Sequence, residues 1–116
     1  HPGQHRIVAQ RAETLMVTQQ FADALPLWRQ LNGHPRAVAA RVLCELMQDD
    51  FSIDRPPANE REASQEFLNW YRNLVRHQAV DGAQAIAERL ETLRTLLPSA
   101  ADALEQLLAA VAAEAA

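Results

Sequence analysis

Few residues in this chain have the type and spacing that chemistry requires. His77 and Asp81 stand four apart, which would put two metal ligands on one face of a helix. Asp81 is better placed as the cap of a following helix, and no third ligand is suggested by local spacing, so no metal is expected. Glu62 and Glu66 form a one-turn carboxylate pair that would suit general acid-base work if buried. On a helix this polar they are expected to be solvated. Cys44 is the only cysteine, with Arg41 and Glu45 nearby but no local histidine, and it reads as a small apolar core group rather than a nucleophile. His34 precedes Pro35 and fits the start of a helix. The sequence has no glycine-rich phosphate loop, no Ser-centred elbow and no His-Glu-x-x-His pattern. An enzyme is not expected, and neither is a cofactor.

A different kind of chemistry is carried by Asn69, Arg72, Asn73 and Arg76, which recur at helical spacing as a polar stripe. Arg72 and Arg76 are like charges one turn apart, with no acidic residue at the next turn to compensate them, and such a pair mildly opposes its own helix. An arginine pair suits a carboxylate on a partner, and it also suits an ordinary solvated face.

The elements that must position these residues follow from composition and patterning. The 116 residues fit one domain, spanning residues 1–116, and 48% apolar with 22% charged supports a buried core. Glycine is scarce and alanine and leucine dominate, so an all-α fold is expected. The net charge of -4 offers no cationic footprint for nucleic acid or an anionic lipid surface. Apolar runs are interrupted well before the roughly 20 residues a bilayer span needs, so no membrane insertion is expected. All 11 basic residues are Arg, which with the abundant alanine suggests a GC-rich bacterial source. A single cysteine allows no intramolecular disulfide and slightly favours a reducing compartment, the cytoplasm, with the periplasm left open. His1-Pro2-Gly3 is expected to be a tag or an unordered start.

Six helices are predicted. The first runs from about Gln4 to Gln19, with Val8, Ala12, Leu15 and Met16 on one face. The second runs from about Asp23 to Leu31, with Asp23 as its cap, Pro26 in its first turn and a stripe of Leu27, Trp28 and Leu31. Asn32-Gly33 ends it, and Pro35 opens a third helix reaching Gln48. Residues 49–59, with Pro56-Pro57, form an internal connector on which Phe51 and Ile53 are expected to dock back onto the core. Asn59 and Glu62 have the capping-box form and open a fourth helix to about Val80, with Phe67, Leu68, Tyr71, Leu74 and Val75 inward. Asp81 opens a fifth, uninterrupted to Leu97. Pro98 stops it, Ser99 caps a sixth with the stripe Leu104, Leu107, Leu108 and Val111, and the Ala-rich end from Ala109 is expected to fray.

Short turns make these helices stacked antiparallel hairpins, and two stretches resemble the tetratricopeptide repeat, a helix-turn-helix unit. Val8, Ala12, Leu15, Phe21, Ala24, Trp28 and Leu31, then Pro35, follow its spacing of large and small apolar positions. Trp70, Ala83, Ile86, Leu90, Leu93 and Pro98 do so again. Pro26 and the missing small residue near Leu74 depart from the pattern, so the resemblance is to a degenerate repeat. It implies a right-handed superhelix, with an irregular bundle as the other outcome. It also implies a groove lined by Ala40, Leu43, Cys44, Met47, Leu68, Tyr71 and Arg72, with Arg76 on the adjoining stripe. Such a groove would take an apolar helix or extended peptide, as a scaffold or chaperone does, and Leu43, Met47 and Tyr71 are equally readable as plain core. The expected function is therefore a non-catalytic protein-protein interaction module. The other expectation is a structural or regulatory dimerisation or docking domain of a larger bacterial protein, with a homodimer as one form.

Overall fold

The computed structural model describes residues 2–31, 35–51, 55–77 and 80–115, and among them every regular element is an α-helix. The order is α1 (Pro2–Val17), α2 (Phe21–Arg29), α3 (Pro35–Gln48), α4 (Glu60–Arg76), α5 (Val80–Glu88), α6 (Leu90–Leu96) and α7 (Pro98–Ala115). Successive helices α1 to α4 pack on one another, α5 and α6 cover α3, and α7 lies against α4 and α6. The fold is all-α, with seven helices among the described residues where six were predicted. Pro2 and Gly3 lie within the first turn of α1.

Helix α3 occupies the centre, touching α2, α4, α5 and α6. Its Ala37, Ala39, Ala40, Val42, Leu43, Cys44 and Leu46 are all buried, and the three alanines let neighbouring backbones approach on several sides. The carboxylate of Glu45 is buried with them, 2.8 Å from Arg41 and 3.7 Å from Arg29 of α2. A buried charge is tolerated only when paired, so this cluster pins α2 to α3. Trp28 of α2 and Trp70 of α4 meet edge to face, with centroids 6.0 Å apart.

Two helix ends depart from ordinary sequence signals. After α1, Gln19 takes φ 61°, the amide of Gln20 donates to Leu15 O at 2.8 Å and that of Gln19 to Met16 O at 3.0 Å. This is the six-to-one and five-to-two bonding of a Schellman end, built on glutamine where glycine is usual. After α3, Asp49 takes φ 53° and the Asp50 amide donates to Glu45 O at 3.2 Å. These bonds end α1 and start α2 two residues earlier than predicted. Asp23 consequently lies in the first turn of α2 rather than at its cap, and Pro26 lies beyond that turn. Pro26 is exposed, so water can serve the carbonyl that its missing amide leaves unpaired. Phe21, Ala24, Leu25 and Trp28 form the buried face of α2, while Leu27 and Leu31 are only half-buried.

The connector is anchored by charge rather than by apolar docking. Phe51 is 41% exposed, contrary to expectation, and Ile53 lies outside the described residues. Arg29 donates to the Asp50 carboxylate at 3.4 Å and to its carbonyl at 3.2 Å. Arg89 grips Asp49 through two bonds of 3.0 Å each. At the start of α4, Asn59 makes no side-chain capping bond. Glu60 instead accepts from the Ser99 amide at 2.7 Å, the Ser99 hydroxyl at 2.9 Å and the Ser64 hydroxyl at 2.9 Å. Partial burial works against the Glu60 carboxylate, but these donors and nearby Arg61 prevail and hold its pKa below the ordinary glutamate range.

The predicted fifth helix is broken at Arg89, between α5 and α6. Neither Gly nor Pro stands there, and the Arg89 side chain is occupied by Asp49 and by the Ala85 carbonyl at 3.2 Å. Pro98 is the first residue of α7, so Ser99 lies inside that helix rather than at its cap. The Ala-rich end stays helical to Ala115.

Candidate functional site

Helices α6 and α7 differ greatly in length. Helix α6 has only 7 residues, about 10 Å at 1.5 Å per residue, against 18 residues and about 27 Å for α7. Arg94 of α6 reaches Asp102 and Glu105 of α7, both at 2.6 Å, and α6 extends little further along its neighbour. The C-terminal half of α7 is left with α4 on one side and no full-length helix on the other. Leu104 is fully buried, whereas Leu107 is 41% and Val111 62% exposed. The contacts of Glu60 with Ser99 put the starts of α4 and α7 together. Both helices meet again through their C-terminal halves, so they run side by side in the same direction.

Between those halves lies an open groove of about 350 Å³, lined by Tyr71, Arg72, Val75 and Arg76 of α4 and by Leu107, Leu108 and Val111 of α7. Val75, predicted to point inward, is 52% exposed here. Its floor is hydrocarbon, and its edge carries the two guanidinium groups. On the other side of those guanidinium groups is a second, polar depression of about 320 Å³, lined by Arg36, Asn69, Trp70, Arg72, Asn73 and Arg76. Arg36 lies over the Trp70 ring, 4.1 Å from its centroid, and is neutralised by Glu13 at 3.0 Å and Glu66 at 3.1 Å. The Trp70 indole N–H donates to the Arg36 carbonyl at 3.4 Å, which fixes the ring that forms this wall. Burial pushes the Tyr71 hydroxyl above its ordinary value and keeps it protonated as a donor.

Of the residues expected to line a groove, Tyr71, Arg72 and Arg76 are brought together here. Ala40, Leu43 and Cys44 are fully buried in α3, Leu68 is buried in α4, and Met47 packs against the core, half-buried. The Cys44 thiol is pushed up to about 12, first by burial and then by Glu45, and it lies 3.4 Å from the sulfur of Met16. The sequence placed Val75 on an inward face and Leu107, Leu108 and Val111 on the apolar stripe of the last helix. Their signal was present as helical spacing, but nothing in spacing says whether a second helix covers them.

The other candidates are not assembled into sites. His77 caps the end of α4 and Asp81 lies in the first turn of α5, so they share no helix. Glu62 is exposed, and Glu66 is engaged by Arg36. His34 lies outside the described residues. No group of three His, Cys, Asp or Glu among the described residues could hold a metal ion. No helix among them is long and apolar enough to cross a membrane. Compared with family models, curated proteins and solved structures, the chain matches none.

Proposed function

We propose that this chain is a non-catalytic protein-protein interaction module that receives an apolar or amphipathic helix, or an extended peptide, in the groove between α4 and α7. The observation that carries the reading is the run of exposed hydrocarbon at Val75, Leu107 and Val111 facing one open channel. A scaffold or chaperone role, of the kind a tetratricopeptide-like stack would serve, belongs to the same proposal, as does action in the bacterial cytoplasm. A second reading has its own support. Ala40, Leu43 and Leu68 are core, which suits a docking or dimerisation domain of a larger protein that presents the open face on α7.

The test is selection of displayed random peptides of about 16 residues against the chain, a length that gives a bound helix several turns. Binders should carry leucine-like residues at helical spacing and perturb the NMR signals of Leu107, Leu108 and Val111. Val111→Asp should abolish binding while changing stability by no more than about 0.5 kcal/mol, as for an exposed position. Binders that perturb other surfaces, or that ignore Val111→Asp, would reject the groove as the site.

A further inference from the structure

We propose that the occupant of the α4–α7 groove is an amphipathic helix whose apolar stripe is flanked by two carboxylates one turn apart, and that these dock on Arg72 and Arg76. The inference rests on the groove reading above and specifies the chemistry of the partner.

Arg72 and Arg76 border both depressions at once, the apolar one and the polar one. A ligand lying in the hydrocarbon channel necessarily runs beside them. Arg29, Arg36, Arg41, Arg89 and Arg94 each reach a carboxylate within the chain. Among the described residues Arg72 and Arg76 have no such partner, as Arg6, Arg11 and Arg61 have none, but of these only Arg72 and Arg76 border the groove. Two like charges at this spacing mildly oppose helix α4, an effect offset in part by Arg76's place in the last turn, at the negative end of the helix dipole. Arg36 in the same depression is already neutralised by Glu13 and Glu66 and adds no free charge. Two positive groups therefore remain, one helical turn apart along α4.

That spacing defines the complement. Acidic side chains four residues apart on a partner helix present carboxylates at the same interval, and each can meet a guanidinium fork with two bonds. Asn69 and Asn73, on the same stripe and without side-chain hydrogen bonds among the described residues, supply amide donors and acceptors at the margin. A nucleic acid would meet only this pair on an acidic protein, too small a footprint for phosphate-driven binding.

The experiment uses three synthetic peptides of one leucine-striped helical sequence, with Glu, Gln or Lys at two flanking positions a turn apart. Binding is read by fluorescence anisotropy at about 50 and about 300 mM NaCl, since surface pairs weaken as the screening length shortens. The Glu peptide should bind roughly five-fold tighter than the Gln peptide at low salt, the scale of two exposed ion pairs, and the Lys peptide should bind weakest. The preference should shrink at high salt. It should vanish on the double variant Arg72→Gln/Arg76→Gln, to which the Gln peptide binds as it does to the parent chain.

Equal binding of Glu and Gln peptides, both lost on Val111→Asp, would overturn the carboxylate pairing and leave the groove standing. Failure of all three peptides would overturn the groove and the pairing together. A dimer in sedimentation that Val111→Asp disperses would show a second copy in the groove and overturn the acidic-helix occupant.

Discussion

Leu104 and Leu107 lie one turn apart on α7, and they offer the sharpest test of where the core ends. Truncating either to alanine removes the same three carbons and changes helix propensity by the same amount, so local effects cancel in the comparison. At Leu104, which is fully buried, the lost transfer energy is about 0.8 kcal/mol per carbon, and the cavity left behind raises the total to about 3 kcal/mol or more. At Leu107, 41% of the residue is already in water, so only roughly three-fifths of the transfer energy can be lost, and water enters the open groove without leaving a void. The expected cost there is about 1.4 kcal/mol. Urea unfolding followed by circular dichroism, at concentrations where the chain is monomeric, reads both values. With a slope of about 1.5 kcal/mol per molar, the midpoints should fall by about 2 M for Leu104→Ala and by less than about 1 M for Leu107→Ala. Equal losses would mean that the C-terminal half of α7 is packed as tightly as its first half. The groove, and the function built on it, would then fail.

Three further outcomes follow from the same structure. Trp28→Ala should cost about 4 kcal/mol in urea unfolding, since the ring is buried and its edge-to-face contact with Trp70 is lost along with its area; a shift below about 1 kcal/mol would refute its anchoring role. Because the folded Glu60 pKa lies below the ordinary glutamate value, its contribution is fully present above that ordinary value and is lost as pH falls through the depressed folded value. Glu60→Gln should therefore flatten the acid limb of a stability-against-pH curve, and an unchanged limb would refute the role of the Ser99 contacts. Gln19→Gly should raise stability by about 0.5–1 kcal/mol in thermal or urea unfolding, because the position already has φ 61° and glycine accepts it without the clash of a Cβ; any loss of stability would count against that account.

Much of the fold was legible because helix formation is a local matter. Pro35 and the stripe from Ala39 to Leu46 define α3 as the structure has it, to Gln48. The Asp49–Asn59 interval separates α3 from α4, and proline at Pro98 marks the junction with α7. The stripe of Leu104, Leu107, Leu108 and Val111 was likewise readable as one face of one helix. Less legible were the helix ends at Gln19 and Asp49, where residues other than glycine take a left-handed conformation. Backbone bonds to Leu15 and Glu45 hold them there, and these bonds carry no mark in residue type.

The sequence by itself determined that the chain is helical, which residues share a face, and that Arg72 and Arg76 stand a turn apart without acid beside them. Tertiary structure alone decided which of those faces are covered. Arg89 is bound to Asp49, a residue 40 positions away, and the chain breaks there into α5 and α6 instead of running on to Leu97. The short α6 reaches the first half of α7, and beyond it the apolar stripe that periodicity marks out forms one wall of an open groove. Conversely, Ala40 and Leu43, on a face that the repeat pattern would open to a ligand, are closed over because α3 is surrounded by α2, α4, α5 and α6. Periodicity is a property of one helix, whereas burial is a property of the helices around it, so the second cannot be read from the first.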